Sequence, residues 1–214
     1  MKKELETRFY DVKLEAREEG EEGIVDGRPI VFNRMADIGG MFGEVIEPGA
    51  LDGADLNDVR LCLNHDTSYV YARSRRNNPN STMQLMPDAE GMAIRANLAI
   101  KSSPKSMDYF SAVKRGDMDK MSFMFSVEED RWTGLDTNYP TRHITKIRKV
   151  VEVSCVTFPA YDSTSIYARS EEALDSARAE LESAREEYRA KKSLDSDDAS
   201  LELAKAKYYF RKNY

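Results

Sequence analysis

Apolar and polar residues alternate through the middle of the chain, and the clearest case surrounds Ser122. Met121, Phe123, Phe125 and Val127 recur at every second position, which is the spacing of side chains on one face of a β-strand. Ser122 lies between them and belongs to the opposite face. The pattern predicts a half-buried strand that carries a serine on the side away from its aromatic residues.

Other apolar segments also have the length and composition of strands, and turn-forming residues separate them. The segment 24–32 contains Gly27 and Pro29, which indicate a kink or bulge near a sheet edge. We expect loops at 33–43 and 128–142. The remaining predicted strands are residues 44–47, 59–65, 143–147 and 149–161, together with 82–86 and 91–98, which form a hairpin.

A helix is predicted between this hairpin and the Ser122 strand. Ser103 is a favourable N-cap, Pro104 suits the first helical position, and Gly116 can adopt the left-handed conformation that ends a helix. The apolar side of the helix is expected to contain Met107, Phe110 and Val113.

The two ends of the chain differ from its centre. Residues 1–23 are rich in charge and predict a solvated edge or loop. Residues 170–214 predict a helical charged tail, with a first helix after Ser170, a polar break at 193–198 and a second helix beyond it. Its narrow apolar seam is typical of an interaction or assembly element. The central domain then spans residues 24–169.

Composition removes several classes of function. The 214 residues carry a net charge of −6, so no broad positive field attracts a nucleic acid. The basic N-terminus lacks the apolar run of a signal peptide, and no later segment reaches membrane-spanning length, so we expect a cytosolic protein without membrane contact. Cys62 and Cys155 are the only cysteines, and their apolar surroundings predict buried, reduced thiols rather than a metal site.

Two further side chains have chemical potential. His65 is one of only two histidines and lies at the end of a predicted strand, where a side chain can be both packed and accessible. Glu152 is a carboxylate among valines, and such a group is costly to bury unless a donor lies nearby. That donor is expected to be a cation, a hydroxyl or an imidazole N–H, and the specific candidates are a lysine or arginine, or else His65.

Five short motifs occur in an order and spacing that resemble the prohead serine proteases of tailed phages of the HK97 type, over residues 24–169. They are Gly27 with Phe32-Asn33, the segment 44–51, Asn64-His65-Asp66, Met121-Ser122-Phe123, and Glu152-Val153-Ser154 with the segment 157–161. The resemblance implies an α+β fold whose mainly antiparallel β-barrel core is similar to the herpesvirus assembly proteases, with a few helices and the helical C-terminal tail.

The same resemblance implies a serine endopeptidase that acts during prohead maturation. Ser122 would be the nucleophile, His65 the general base and acid, and Glu152 the candidate orienting carboxylate. The implied substrates are the scaffolding segment of the major capsid protein and the enzyme itself, inside the immature capsid in the host cytoplasm. Dimerisation is a further expectation, and no cofactor or metal is implied. The tail is a reasonable place for self-cleavage and for docking to the capsid protein.

Departures from the family pattern leave alternatives open. Met124 replaces the glycine that usually follows Met-Ser-Phe, so the donors of the oxyanion hole are not assigned. His143 is the rival histidine and would orient the base if Glu152 were structural. A non-catalytic internal scaffold with a degenerate protease fold is the alternative function. A cysteine- or metal-dependent hydrolase is weaker, because the faces of the predicted strands separate Cys155 from Glu152 and Cys62 from His65.

Overall fold

The computed structural model describes residues 5–10, 14–157 and 175–194, which include eleven strands and two helical segments. The helical residues 175–194 form α2. The other elements are β1 (Glu6–Tyr10), β2 (Glu15–Glu19), β3 (Glu22–Val31), β4 (Ala36–Ile38), β5 (Phe42–Ile46), β6 (Asp58–Leu63), β7 (Ala72–Arg75), β8 (Met83–Asp88), β9 (Gly91–Leu98), α1 (Pro104–Arg115), β10 (Lys120–Thr133) and β11 (Thr141–Val156).

The strands form two sheets. In the larger sheet the order is β1-β10-β11-β5-β4, and β6 also pairs with β11 and carries β7 on its other side. The long strand β11 is antiparallel to β10, parallel to β5 through its first residues, and parallel to β6 through its last ones. The smaller sheet, in the order β2-β3-β9-β8, is antiparallel. The fold is α+β, but the expected β-barrel is wrong for the described strands, because neither sheet closes. The alternation of apolar and polar residues predicts where strands lie but does not determine which strands pair.

The core lies between the sheets and follows the predicted alternation. Met121, Phe123 and Phe125 are fully buried there, and the rings of the two phenylalanines stack with their centroids 4.7 Å apart. Helix α1 covers one side of this core and has the predicted caps: the Ser103 hydroxyl accepts a bond from the N–H of Ser106, and Gly116 has a φ of 80°. Its buried face contains Tyr109, Phe110 and Val113, whereas Met107 is exposed.

Three segments differ from the sequence predictions. The expected loop 128–142 is mostly strand, because β10 and β11 extend as a long hairpin in which residues 129–131 are exposed whereas Arg142 is buried. Short strands β4 and β5 occupy part of the expected loop 33–43. Within residues 1–23, β2 is an exposed edge strand, whereas β1 carries the buried Arg8. Charged composition hides such a strand, since Arg8 is buried against Glu44, which lies 36 residues away in the sequence.

The predicted tail helix is present over residues 175–194 and packs on its own domain. Ala177 and Leu181 are buried against Ile38 and Phe42, in a small cluster separate from the main core. This contact fixes α2 beside the outer end of the large sheet. The Ser170 cap and the predicted second helix after the polar break lie outside the described residues.

Candidate active site

Ser122 lies on β10, directly opposite Ser154 of β11, and Ser154 in turn lies opposite Cys62 of β6. Directly paired residues project their side chains to the same face of a sheet. Ser122, Ser154 and Cys62 therefore form a row on the face away from the stacked phenylalanines, as the alternation around Ser122 predicts. All three are almost completely buried, and the exposed fraction of Ser122 is 2%.

His65 reaches this row through a tight turn after β6. Asn64 and His65 both have positive φ angles, 52° and 61°, a region that asparagine and histidine adopt more readily than most residues. The Asn64 side-chain oxygen accepts bonds from the N–H and the hydroxyl of Thr157, which anchors the turn to the end of β11. The His65 N–H donates to Ser154 Oγ at 3.1 Å. The turn thus brings the histidine back over β11.

Glu152 is fully buried and pairs with His65 through its Oε1 and the imidazole Nδ1. Its other oxygen, Oε2, accepts a bond from the Ser154 hydroxyl at 2.6 Å. Of the expected kinds of donor, the structure therefore provides the imidazole of His65 and the hydroxyl of Ser154. A carboxylate on Nδ1 fixes the tautomer that leaves Nε2 free to accept a proton. The imidazole lies above β11, the strand adjacent to the one that carries Ser122.

The Ser122 hydroxyl donates to the backbone carbonyl of Arg8 at 2.8 Å. This carbonyl belongs to β1, which pairs with β10 and places Phe9 opposite Ser122. A hydroxyl has a single proton to donate. In this arrangement the serine proton is held by β1 and not by His65.

The cysteines differ from the expected geometry and are chemically quiet. Cys62 lies in the same row as Ser122. The alternation of strand faces predicted that Cys62 and His65 lie on opposite faces, and this prediction is wrong because the turn after β6 brings His65 back over the sheet. Burial and the charge of Glu152 raise the pKa of Cys62 to about 12. Burial also raises the pKa of Cys155 to about 12, although the Tyr109 hydroxyl donates to its sulfur at 2.7 Å. Both thiols therefore stay protonated and are poor nucleophiles.

The second histidine lies far from this site. His143 pairs with Arg131 at the outer end of the β10–β11 hairpin, nine residues along β10 from Ser122, or about 30 Å of strand. Its Nδ1 lies 3.0 Å from Glu47 Oε1, and its Nε2 lies 3.0 Å from Thr133 Oγ1. The structure therefore separates His143 from His65 and Glu152.

Sequence reasoning missed two participants. The sequence motif includes Ser154 but does not predict its role, and its hydroxyl contacts both Glu152 and His65. Ser154 follows Glu152 by two residues and therefore lies on the same strand face, which is a signal that could have identified this contact. The Arg8 carbonyl carries no such signal, because a backbone group can be assigned only after the strand pairing is known.

Neither a metal cluster nor a membrane-spanning helix is found in the described parts of the chain. No group of three or more His, Cys, Asp or Glu side chains among residues 5–10, 14–157 and 175–194 could hold a metal ion. No helix within those ranges is both long and apolar enough to cross a membrane.

An open two-sheet α+β domain that gathers a serine, a histidine and a carboxylate on one sheet face has the residue set of a serine hydrolase. Comparison with known proteins narrows this class. The family described as caudovirus prohead serine protease matches residues 10–178. The prohead protease of Enterobacteria phage HK97 is 28% identical over 174 residues, which cover 79% of this chain and 71% of that protein. No solved structure matches the chain. The chain belongs to the caudovirus prohead serine protease family, and it is a serine peptidase of phage prohead maturation.

Proposed function

We propose that this enzyme cleaves the scaffolding segments of the major capsid protein, and itself, inside the immature capsid. The family assignment supports the setting. The observation that carries the chemistry is the pairing of His65 with a fully buried carboxylate, directly over the strand next to Ser122. The sequence expectation of a similarity to herpesvirus assembly proteases stays a prediction.

In the proposed mechanism Ser122 Oγ attacks the carbonyl carbon of the scissile peptide bond. His65 Nε2 takes the hydroxyl proton as the new C–O bond forms, and it returns this proton to the nitrogen of the leaving amine as the C–N bond breaks. Water then attacks the acyl-enzyme. His65 Nε2 takes a proton from the water and gives it to Ser122 Oγ as the acyl C–O bond breaks. Glu152 keeps the proton on Nδ1 and stabilises the imidazolium, while Ser154 holds the second carboxylate oxygen.

The direct test is to express the full chain beside its Ser122→Ala variant, alone and with the phage's own capsid protein, and to follow intact masses over time. We expect defined fragments of the capsid protein and of the enzyme with the wild type only. Ser126→Ala, the same change at another buried serine of β10, is the matched control and should cleave as the wild type does. Identical fragments from wild type and Ser122→Ala would refute the assignment, and intact capsid protein with both would favour an internal scaffold.

The fragment ends would also locate self-cleavage. We infer that it occurs in or near the tail, because the tail differs in composition from the central domain and polar segments between helices are accessible to a protease. The expected docking of the tail to the capsid protein is a separate proposal. A chain truncated after the central domain that is packaged as well as the full chain would refute it.

A further inference from the structure

Strand β1 covers the edge of the large sheet at the place where a substrate would have to lie. It pairs antiparallel with β10 from Glu6 opposite Phe125 to Tyr10 opposite Met121. An extended peptide commonly binds by adding a strand to an exposed sheet edge. A substrate that bound in this way beside Ser122 would need the same backbone groups of β10 that β1 now uses.

The contact at Ser122 is of the same kind as a substrate contact. The Arg8 carbonyl lies 2.8 Å from Ser122 Oγ and accepts a hydrogen bond from its hydroxyl. Catalysis requires the hydroxyl proton to go to the imidazole and a substrate carbonyl to lie next to the hydroxyl. With β1 in place, a peptide carbonyl is already there, and the nucleophile is only 2% exposed.

Buried charges hold β1 in this position. The Arg8 side chain lies on the other face of the sheet, where its guanidinium binds both oxygens of Glu44 and lies 2.6 Å from Glu6 Oε2. Arg142 joins the same cluster, 2.8 Å from Glu6 and 3.2 Å from Glu44. Glu180 of α2 lies 3.0 Å from Arg142. The cluster therefore connects β1 to the large sheet and to the tail helix.

Most of β1 lies outside the residues that match the family. The match begins at residue 10, so nearly all of β1 precedes it. A five-residue strand at the edge of a sheet can also leave without breaking pairs inside that sheet.

We propose that the edge of β10 beside Ser122 is the binding site for an extended peptide segment of the substrate, and that β1 occupies this site as an intramolecular inhibitor. The inference rests on the proposed role of Ser122 as nucleophile. Cleavage then requires β1 to leave, and its departure requires the Arg8–Glu44 contact to break. Displacement of α2 would weaken the same cluster through Glu180.

The test uses the full chain with Arg8→Glu, which places a third carboxylate beside Glu6 and Glu44. The control is Arg115→Glu, the same charge change at an exposed residue on α1. Hydrogen exchange of residues 6–10 measures the release of β1, and a fluorophosphonate probe measures the reactivity of Ser122. We expect faster exchange and at least about tenfold faster labelling with Arg8→Glu only, because reactivity scales with the fraction of open molecules. Equal, measurable labelling rates in the wild type and in Arg8→Glu would overturn the inhibition.

A binding measurement separates this inference from the proposed chemistry. A fluorescent peptide of residues 1–12 is added to the Arg8→Glu chain that also carries Ser122→Ala and cannot react. We expect binding at least about tenfold tighter than to a chain with Ser122→Ala alone, whose site is occupied, and no binding of a Phe9→Pro peptide. A failure of the peptide to bind overturns the inference. If the peptide binds, but neither the wild type nor Arg8→Glu is labelled or cleaves a substrate, the proposed function is overturned and the peptide site remains supported.

Discussion

Replacement of Ser154 by alanine is the most informative single change in the proposed site. Its hydroxyl donates to the buried carboxylate of Glu152 at 2.6 Å and accepts the His65 N–H at 3.1 Å. Ser154→Ala removes both contacts and leaves the backbone of β11 in place. It tests whether this hydroxyl positions the histidine–carboxylate pair.

The magnitude follows from the two lost hydrogen bonds. A bond to a buried charged group contributes about 1.5–3 kcal/mol, and an ordinary one contributes about 0.5–1.5 kcal/mol. We expect the free energy of unfolding to fall by about 2–4 kcal/mol. At about 2–4 °C per kcal/mol for a chain of this size, the melting temperature should fall by roughly 4–16 °C. We also expect kcat to fall roughly 10–100-fold with little change in KM, because the histidine is misplaced while the peptide site is untouched.

Thermal unfolding and cleavage of a fluorogenic capsid-derived peptide measure these effects. Ser126→Ala is again the matched control, and it should change the free energy of unfolding by less than about 1 kcal/mol and leave kcat unchanged. Assays run well below the lowered melting temperature separate mispositioning from unfolding. A Ser154→Ala enzyme with the stability and kcat of the wild type would refute the reasoning, and a loss of stability with unchanged kcat would leave Ser154 as a structural residue only.

Three further predictions follow from other parts of the molecule. Glu152→Gln should lower the cleavage rate at least about 100-fold while His143→Ala leaves it near that of the wild type, as measured with the same peptide; the reverse ranking would make His143 the orienting group. Burial raises the pKa of Glu180 to about 7 from 4.5 despite a nearby arginine, so the folded state binds a proton that the unfolded chain releases, and stability should fall as pH rises through that range. Glu180→Gln should flatten this loss in thermal melts between about pH 5 and about pH 8, and an unchanged slope would contradict the assignment. Gly91→Ala should destabilise the fold by more than about 2 kcal/mol in urea unfolding, because φ is 143° and the added methyl would overlap the Ile30 carbonyl; a wild-type midpoint would contradict that geometry.

Local features were predictable from the sequence. The caps of α1, the β8–β9 hairpin and the buried face of β10 depend on residues close together in the chain, and the structure has all three. The family resemblance implied that His65, Ser122 and Glu152 share a single site. His65 and Glu152 are 87 residues apart in the sequence, so their spacing alone did not indicate a contact.

Features that depend on distant partners were not predictable. The Ser122–Arg8 contact spans 114 residues and uses a backbone carbonyl, which has no sequence pattern. The choice between a barrel and two open sheets depends on which strands pair, and strand propensity does not determine this. The extension of β10 and β11 into a polar hairpin was hidden because its buried residue Arg142 is charged, and its partners Glu6 and Glu44 lie 136 and 98 residues away.

The position of β11 has a consequence for synthesis of the enzyme. This strand is the last one of the described chain, yet it lies at the centre of the large sheet and provides both Glu152 and Ser154. A nascent chain that has emerged only as far as Ser122 therefore has no carboxylate for His65 and no central strand on which β6 and β10 can be arranged. Long-range pairing of this kind forms late in folding. Proteolytic competence should thus arise only after the ribosome has completed nearly the whole domain.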